Sequence, residues 1–397
     1  MPKTSSHLPG CFYIASWFDV LYSTPDLDQA DRMVLDEIEQ FRHRLRYQLA
    51  APRRWQGQLR RTLTARAIQG SNSIEGYQVS LEVAEDVVGY EAPLEGVDSV
   101  LPEIVGYRDA LRYVQQLADN PCFRYERMLL SALHFLMLDH HMDKSPGRYR
   151  SGEIFIRNDQ TRQTRQIRYE GPEPDLVSGL VDELLDWLNT GDLDLPVFVR
   201  AAMAHLNLVN IHPWRDGNGR MSRCLHTLLL ARDGVLAPEF SSIEEWLGAG
   251  RNTYDYYEVL NEVGGRTWSP ERDTHPWIRF CLRAHHMQAQ LVEQRFDHYA
   301  RLWLALEGLA HARSLPERTV NALFTAARGI RVRRTTYQRD ADLSANQAIR
   351  DLRLLAGMSP LRPLGETRGR SYAAGEHLVE LSRQVGGGLA PIRDPYV

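Results

Sequence analysis

At 397 residues the chain is too long for one ordinary core, and a prior of roughly 100–200 residues per domain predicts two or three. Apolar residues make up 43% and charged residues 25%, which suits a soluble globular protein and argues against a disordered one. No run of about 18 uncharged apolar residues occurs, so no membrane span is expected, and the formal net charge of −4 points the whole molecule toward no particular partner.

In chain order, the apolar stretch Cys11–Tyr22 is interrupted by Asp19 and has neither a basic flank nor a cleavage pattern, so it reads as packing and not as a signal peptide. Leu35, Ile38, Phe41 and Leu45 recur at helical spacing. The run Ser71-Asn72-Ser73-Ile74-Glu75-Gly76 reads, on its own, as a helix end with Gly76 just past the last turn. Leu129, Leu130, Leu133 and Leu136 predict another helix. Between Gly147 and Gly171-Pro172, two β-branched or aromatic runs, Glu153–Arg157 and Gln166–Tyr169, flank a loop opening with Asn158-Asp159-Gln160, the pattern of a hairpin. Leu176–Leu188 and Phe198–Leu208 are amphipathic helices. Cys11, Cys122, Cys224 and Cys281 form no CxxC pair, which favours reduced thiols in a cytoplasmic protein.

The segment Ile211-His212-Pro213-Trp214-Arg215-Asp216-Gly217-Asn218-Gly219-Arg220-Met221-Ser222-Arg223 joins two helices through a tight loop. Gly217 and Gly219 allow positive φ and close approach of backbone N–H groups to a ligand. Those groups open the next helix, where a phosphate is stabilised. Arg220 and Arg223, three residues apart, share a helix face and suit further phosphate oxygens. Asp216 is a hard ligand of the kind Mg²⁺ takes together with substrate phosphates. His212 titrates near neutrality and suits a general base. Neither HExxH nor GxxxxGK[ST] occurs, which removes the metalloprotease and P-loop readings.

Downstream, Asn252-Thr253-Tyr254-Asp255-Tyr256-Tyr257 carries a Tyr pair that can stack a base or simply fill the core. From Ser314 to Ala374 there are eleven arginines against five acidic residues. The order there is a helix (Glu317–Ala327), a short helix (Thr335–Asp340) and a third from Ser344, its N-cap, to Ala356, with Gly357 as a stop. Leu361–Leu364, a turn at Gly365–Gly369 with Arg368 and Arg370, and Ser371–Ala373 follow. That order resembles a winged helix-turn-helix. The tail from Gly386-Gly387-Gly388 to Val397 is expected to be loose.

The His212–Arg223 segment resembles the signature of the Fic (Fido) family: His, a large apolar residue, an acidic residue, Gly-Asn-Gly-Arg and a second Arg. Trp214 stands where the family usually has Phe, and is expected to plug the loop into the core. The resemblance implies a mainly α protein with a Fido helical core, a β-hairpin flap, an N-terminal helical region and a C-terminal winged helix-turn-helix. The divisions expected are 1–120, 121–290 and 300–385. It implies AMP transfer from ATP to a protein hydroxyl, with His212 as base and Asp216 holding Mg²⁺. Gly217, Asn218, Gly219, Arg220 and Arg223 would bind phosphates, and Tyr256 and Tyr257 the adenine. Ser71-x-x-x-Glu75-Gly76 resembles the family's inhibitory motif, with Glu75 pairing Arg223 and Ser71 orienting Glu75. Removal of AMP, self-modification and a homodimer are further implications. The hairpin, like the family's flap, would take the target's backbone as an added strand. One alternative is a DNA-binding regulator that uses the Fido domain as a nucleotide sensor. Another is transfer of a different phosphate-linked group.

Overall fold

The computed structural model describes residues 20–93, 96–157, 167–365, 370–387 and 390–397. It begins with α1 (Gln29–Ala50), opened by a capping box between Asp28 and Asp31. Next come α2 (Gln56–Ile74), α3 (Leu81–Val88), α4 (Leu101–Leu117) and α5 (Arg127–Leu138). The strands β1 (Phe155–Arg157) and β2 (Ile167–Glu170) pair antiparallel, with Phe155 opposite Glu170 and Ile156 opposite Tyr169. The loop opening at Asn158 lies outside the described residues, as do Cys11, Arg368 and Gly388.

Two helices, α6 (Pro174–Thr190) and α7 (Val197–Ile211), lead to α8 (Asn218–Asp233). Buried residues lie all round α7 and α8, so these two form the centre of the protein and not its surface. They meet α4, α6 and the following helices α9 (Glu244–Leu247), α10 (Arg251–Gly264) and α11 (His275–Ala312). One apolar cluster runs from Tyr22 and Val34 through α4–α8 to Ala284, so helices on both sides of residue 120 fill the same core. The crossing of α2 with α9 is close because both contribute glycine. A Cβ on Gly70 would stand 2.2 Å from the Glu244 carbonyl oxygen, and one on Gly248 would stand 2.4 Å from the Gly70 Cα. That contact brings the end of α2 over the loop before α8.

At 38 residues, α11 spans about 57 Å at 1.5 Å per residue. Trp277, Ile278 and Leu282 belong to the first core, whereas Val292, Phe296, Leu302 and Leu306 belong to a second. The second core also takes Leu45, Trp55, Leu59 and Leu63 from α1, α2 and their connection. The rest comes from α12 (Val320–Ala327), β3 (Val332–Arg333), α13 (Arg334–Asp340), α14 (Ala345–Gly357), β4 (Leu361–Leu364), β5 (Ser371–Ala374) and α15 (Glu376–Gly386). The three strands form an antiparallel sheet in the order β3-β5-β4. Ser344 caps α14 as expected, but Gly357 is its last residue, not the first beyond it. The expected loose tail is instead docked. Gln290 accepts from Arg393 N at 2.9 Å, and Tyr396 donates to the buried Asp31 carboxylate at 3.0 Å. Gln294 also donates to Ala390 O at 2.6 Å, so polar anchors are spread along the stretch. Among the described residues no helix is long and apolar enough to cross a membrane.

Candidate active site

The α7–α8 loop is set from below by side chains it does not contain. Trp214 is fully buried and stacks on His134 of α5, with ring centroids 4.6 Å apart and planes 10° from parallel. His134 also meets the Asp216 carbonyl oxygen at 3.0 Å and accepts from Gly147 N at 2.7 Å. Burial pulls its pKa down to about 4, so it is a neutral strut. Asn218 bridges the loop to itself, accepting from Trp214 N at 2.9 Å and donating to Trp214 O at 2.8 Å. Arg150, just before the hairpin, donates to the carbonyls of His212, Gly152 and Pro172. Neither His134 nor Glu103, below, stood out in the sequence, because a single polar residue on an apolar helix face carries no spacing signal.

His212 ends α7 in the left-handed region (φ 52°, ψ 59°), a strained conformation for a non-glycine residue. Its Nδ1 faces the Val209 carbonyl at 3.0 Å and must donate there. The proton is thereby held on Nδ1 and Nε2 is left as the basic atom. Burial lowers its pKa to about 4, against the opposing pull of the Val209 carbonyl, so the ring is neutral at pH 7.

His212 lines a cavity of about 430 Å³ together with Gly219, Arg223, Tyr256, Tyr257 and Glu75. Ile156 and Tyr169 of the hairpin, with Asn210 and Leu260, line it as well. Arg223 is 1% exposed. It donates from Nη2 to Glu75 Oε1 at 2.6 Å and to Ser71 O at 3.0 Å, and from Nε to Ser71 Oγ at 2.8 Å. Ser71 therefore holds the arginine and not Glu75, contrary to the expectation that it orients the carboxylate. Burial works against the Arg223 charge, but Glu75 and two tyrosines hold its pKa above the ordinary value. Its Nη1 is buried and lacks a partner. A Cβ on Gly219 would fall 2.5 Å from Glu75 Oε1, so only glycine lets the carboxylate reach this helix start. Gly76 (φ 90°) ends α2 just beyond Glu75, so the helix-end reading of this motif and the Glu75–Arg223 contact hold together.

The remaining candidates stand elsewhere. Gly217 (φ 75°) turns its open side to Leu138, where a Cβ would come within 2.7 Å. The half-exposed Asp216 carboxylate accepts from Gly217 N at 2.7 Å and lies 3.8 Å from Lys144 Nζ, outside the cavity wall. A hard, accessible carboxylate beside a helix start fits Mg²⁺. Arg220 points away from the cavity, into a buried ion pair with Glu103 of α4 and against the Tyr77 ring. Three residues on a helix leave two side chains about 60° apart around the axis, so these arginines diverge because each is drawn to its own acid. Tyr256 is a core residue, its hydroxyl 2.9 Å from His205 Nε2, with one face on the cavity. Tyr257 is half-exposed and donates to the Ile74 carbonyl at 3.0 Å, tying α10 to the end of α2. Of the pair, only Tyr257 presents a half-exposed ring at the cavity.

A family model described as the Fic/DOC family matches residues 125–230. The protein adenylyltransferase Fic of Nematostella vectensis is 28% identical over 263 residues, 65% of this chain and 55% of that protein. The one from Culex quinquefasciatus is 29% identical over 247 residues, 62% and 42% of the two chains. The chain thus spans about half the length of the curated relatives it matches. In fold, it resembles a Fic family protein from Desulfovibrio desulfuricans G20 with a TM-score of 0.54 and 22% identity, over 89% of this chain and 98% of that one. The loop from His212 to Arg223 lies inside the matched segment, so residues 125–230 are similar to the Fic/DOC family.

Proposed function

We propose that this protein transfers AMP from ATP to a hydroxyl side chain of a protein, and that Glu75 restrains the reaction. The observation that carries this reading is the meeting of His212, Gly219, Arg223 and Glu75 on one cavity. The neutral Nε2 of His212 takes the proton of an attacking Ser, Thr or Tyr hydroxyl. The hydroxyl oxygen forms a bond to the α-phosphorus as the bond to pyrophosphate breaks. The N–H groups opening α8 and the unpartnered Arg223 Nη1 bind phosphate oxygens and their developing charge. Mg²⁺, held by Asp216 and phosphate oxygens, would supply further charge neutralisation. The edge of the hairpin beside Ile156 is the natural seat for the target's backbone, this protein's own segments included.

With Glu75 on Arg223, the guanidinium is engaged and a carboxylate occupies the place of a phosphate. Incubation of the Glu75→Gly protein with α-labelled ATP and a cell lysate is the direct test. Strong labelling of protein bands is expected, and on a labelled target once purified, γ-labelled ATP should leave none. Labelling of that purified target from γ-labelled ATP with none from α-labelled ATP would identify phosphoryl transfer instead.

The second reading, regulation through DNA, is favoured by the C-terminal unit. Its order of helix, strand, two helices and hairpin supports a winged helix-turn-helix. Arg331 and Arg333 are spent on Glu82 and Asp86 of α3. Arg350, Arg353 and Arg362 are exposed and form no ion pair among the described residues. A duplex retarded by the full chain, with retardation lost steeply as salt rises, would support this reading.

A further inference from the structure

Behind the loop, on the side away from the cavity, Glu103 of α4 meets His140 and His141 from the turn after α5. Glu103 Oε1 lies 3.2 Å from His140 Nε2 and 3.0 Å from His141 Nε2. The three side chains each offer one ligand atom, all within 4.8 Å of one another. We propose that Glu103, His140 and His141 bind a divalent transition-metal ion of the zinc class, at a site separate from Asp216.

Three observations carry the assignment. Two nitrogens and a carboxylate oxygen at tetrahedral angles around an ion, with bonds of about 2.0–2.1 Å, stand about 3.3 Å apart. The two measured separations are close to that. Next, His140 Nε2 is buried at 3.2 Å from the carboxylate, yet off the line a hydrogen bond requires. A hydrogen bond does not account for that approach, and a shared ion would. Lastly, each ring has an acid behind its other nitrogen. Asp139 Oδ1 lies 3.7 Å from His140 Nδ1, and Asp143 Oδ1 lies 3.8 Å from His141 Nδ1. Both separations exceed hydrogen-bond distance, and a carboxylate closing on either nitrogen would orient the imidazole and raise its basicity.

Two nitrogen donors select zinc over magnesium, which prefers oxygen alone. Three protein ligands leave one position open to water. The second oxygen of Glu103 stays on Arg220. The ion therefore fastens α4 to the turn that carries Lys144, and fixes from behind the carboxylate that holds the catalytic loop's first arginine.

The test uses tag-free full-length protein stripped with a chelator, then titrated with Zn²⁺ alone by calorimetry and with Co²⁺ alone by visible absorption. One equivalent of Zn²⁺ should bind, Co²⁺ should give the intense bands of a low-coordinate site, and Tm should rise on adding Zn²⁺. Excess Mg²⁺ should not compete. The double substitution His140→Ala/His141→Ala should weaken Zn²⁺ binding by about 100-fold and abolish the rise in Tm. Should that variant fail to fold by circular dichroism, His141→Gln, at a 43% exposed side chain, should still weaken binding about tenfold. Asp216→Asn should bind Zn²⁺ like the parent. Absence of saturable Zn²⁺ binding, binding that survives the histidine substitutions, or its loss in Asp216→Asn overturns the proposal.

Discussion

Arg220 and Arg223 stand one turn apart on α8, and both are about 1% exposed, yet the acids that hold them live in opposite surroundings. Glu103, behind the loop, has a side chain 3% exposed. Glu75, at the cavity, is 27% exposed and arrives from the end of a helix. Burial pushes the Glu103 carboxyl up, but Arg220 and His140 more than offset it and hold it below the usual carboxylate range. Removing such an acid strands a charge in a dry site. Removing Glu75 leaves Arg223 two bonds to Ser71 and a cavity that water or phosphate can enter. Ion pairs that look alike on paper thus differ in setting: one is sealed behind the loop and the other faces the cavity, and the restraint proposed for Glu75 makes it a releasable clamp where Glu103 is a fixed strut.

The largest expected effect tests the cavity side. In the Glu75→Gly background, His212→Ala should lower the rate of AMP transfer about 10²–10⁴-fold, while ATP binding followed by calorimetry persists. Transfer that survives would remove Nε2 as the base. Behind the loop, Glu103→Ala should cost about 3–5 kcal/mol in denaturant unfolding. Glu75→Gly should cost about 1 kcal/mol, as a partly exposed pair does. Equal losses would erase the distinction between strut and clamp. For activity the order reverses: Glu75→Gly should raise AMP transfer about 10–100-fold, the worth of freeing one charged hydrogen bond of about 1.5–3 kcal/mol.

The remaining prediction concerns pH dependence. His212 and His134 are held near 4, and His226 near 3, chiefly by burial, against an ordinary value of 6.5. Between those limits the unfolded chain binds more protons than the folded one. Stability should therefore be full above about pH 6.5 and decline as pH falls toward 4. Melting curves across that range, with a flat result above pH 7, would check the sign. In the free enzyme the acid limb of kcat/KM should likewise lie near pH 4, well below an ordinary histidine's.

Much of the fold was legible along the chain. Alternation every three to four residues located α1, α5, α6 and α7, and a serine cap located the start of α14. The two-residue strand β3 was not, because two residues carry no period. The long α11 was missed as one element, because its apolar face changes partner midway and its buried residues belong to two cores. It runs unbroken through residues 290–300, where the sequence suggested a division.

At the proposed site, the linear order from His212 to Arg223 singled out a candidate base, carboxylate, glycines and arginines, because they are neighbours in the chain and their chemistry depends on residue type. Which of them share a wall was decided by packing. Helix α8 sends Arg223 toward the cavity and Arg220 away from it, and the glycine crossing of α2 with α9 brings Glu75 within 2.6 Å of a guanidinium 148 residues distant. Residue type and near spacing determined by themselves what chemistry is proposed for this chain. Only the tertiary structure decided which arginine is clamped and by which acid, because helix direction and close contacts between remote segments leave no trace in local periodicity.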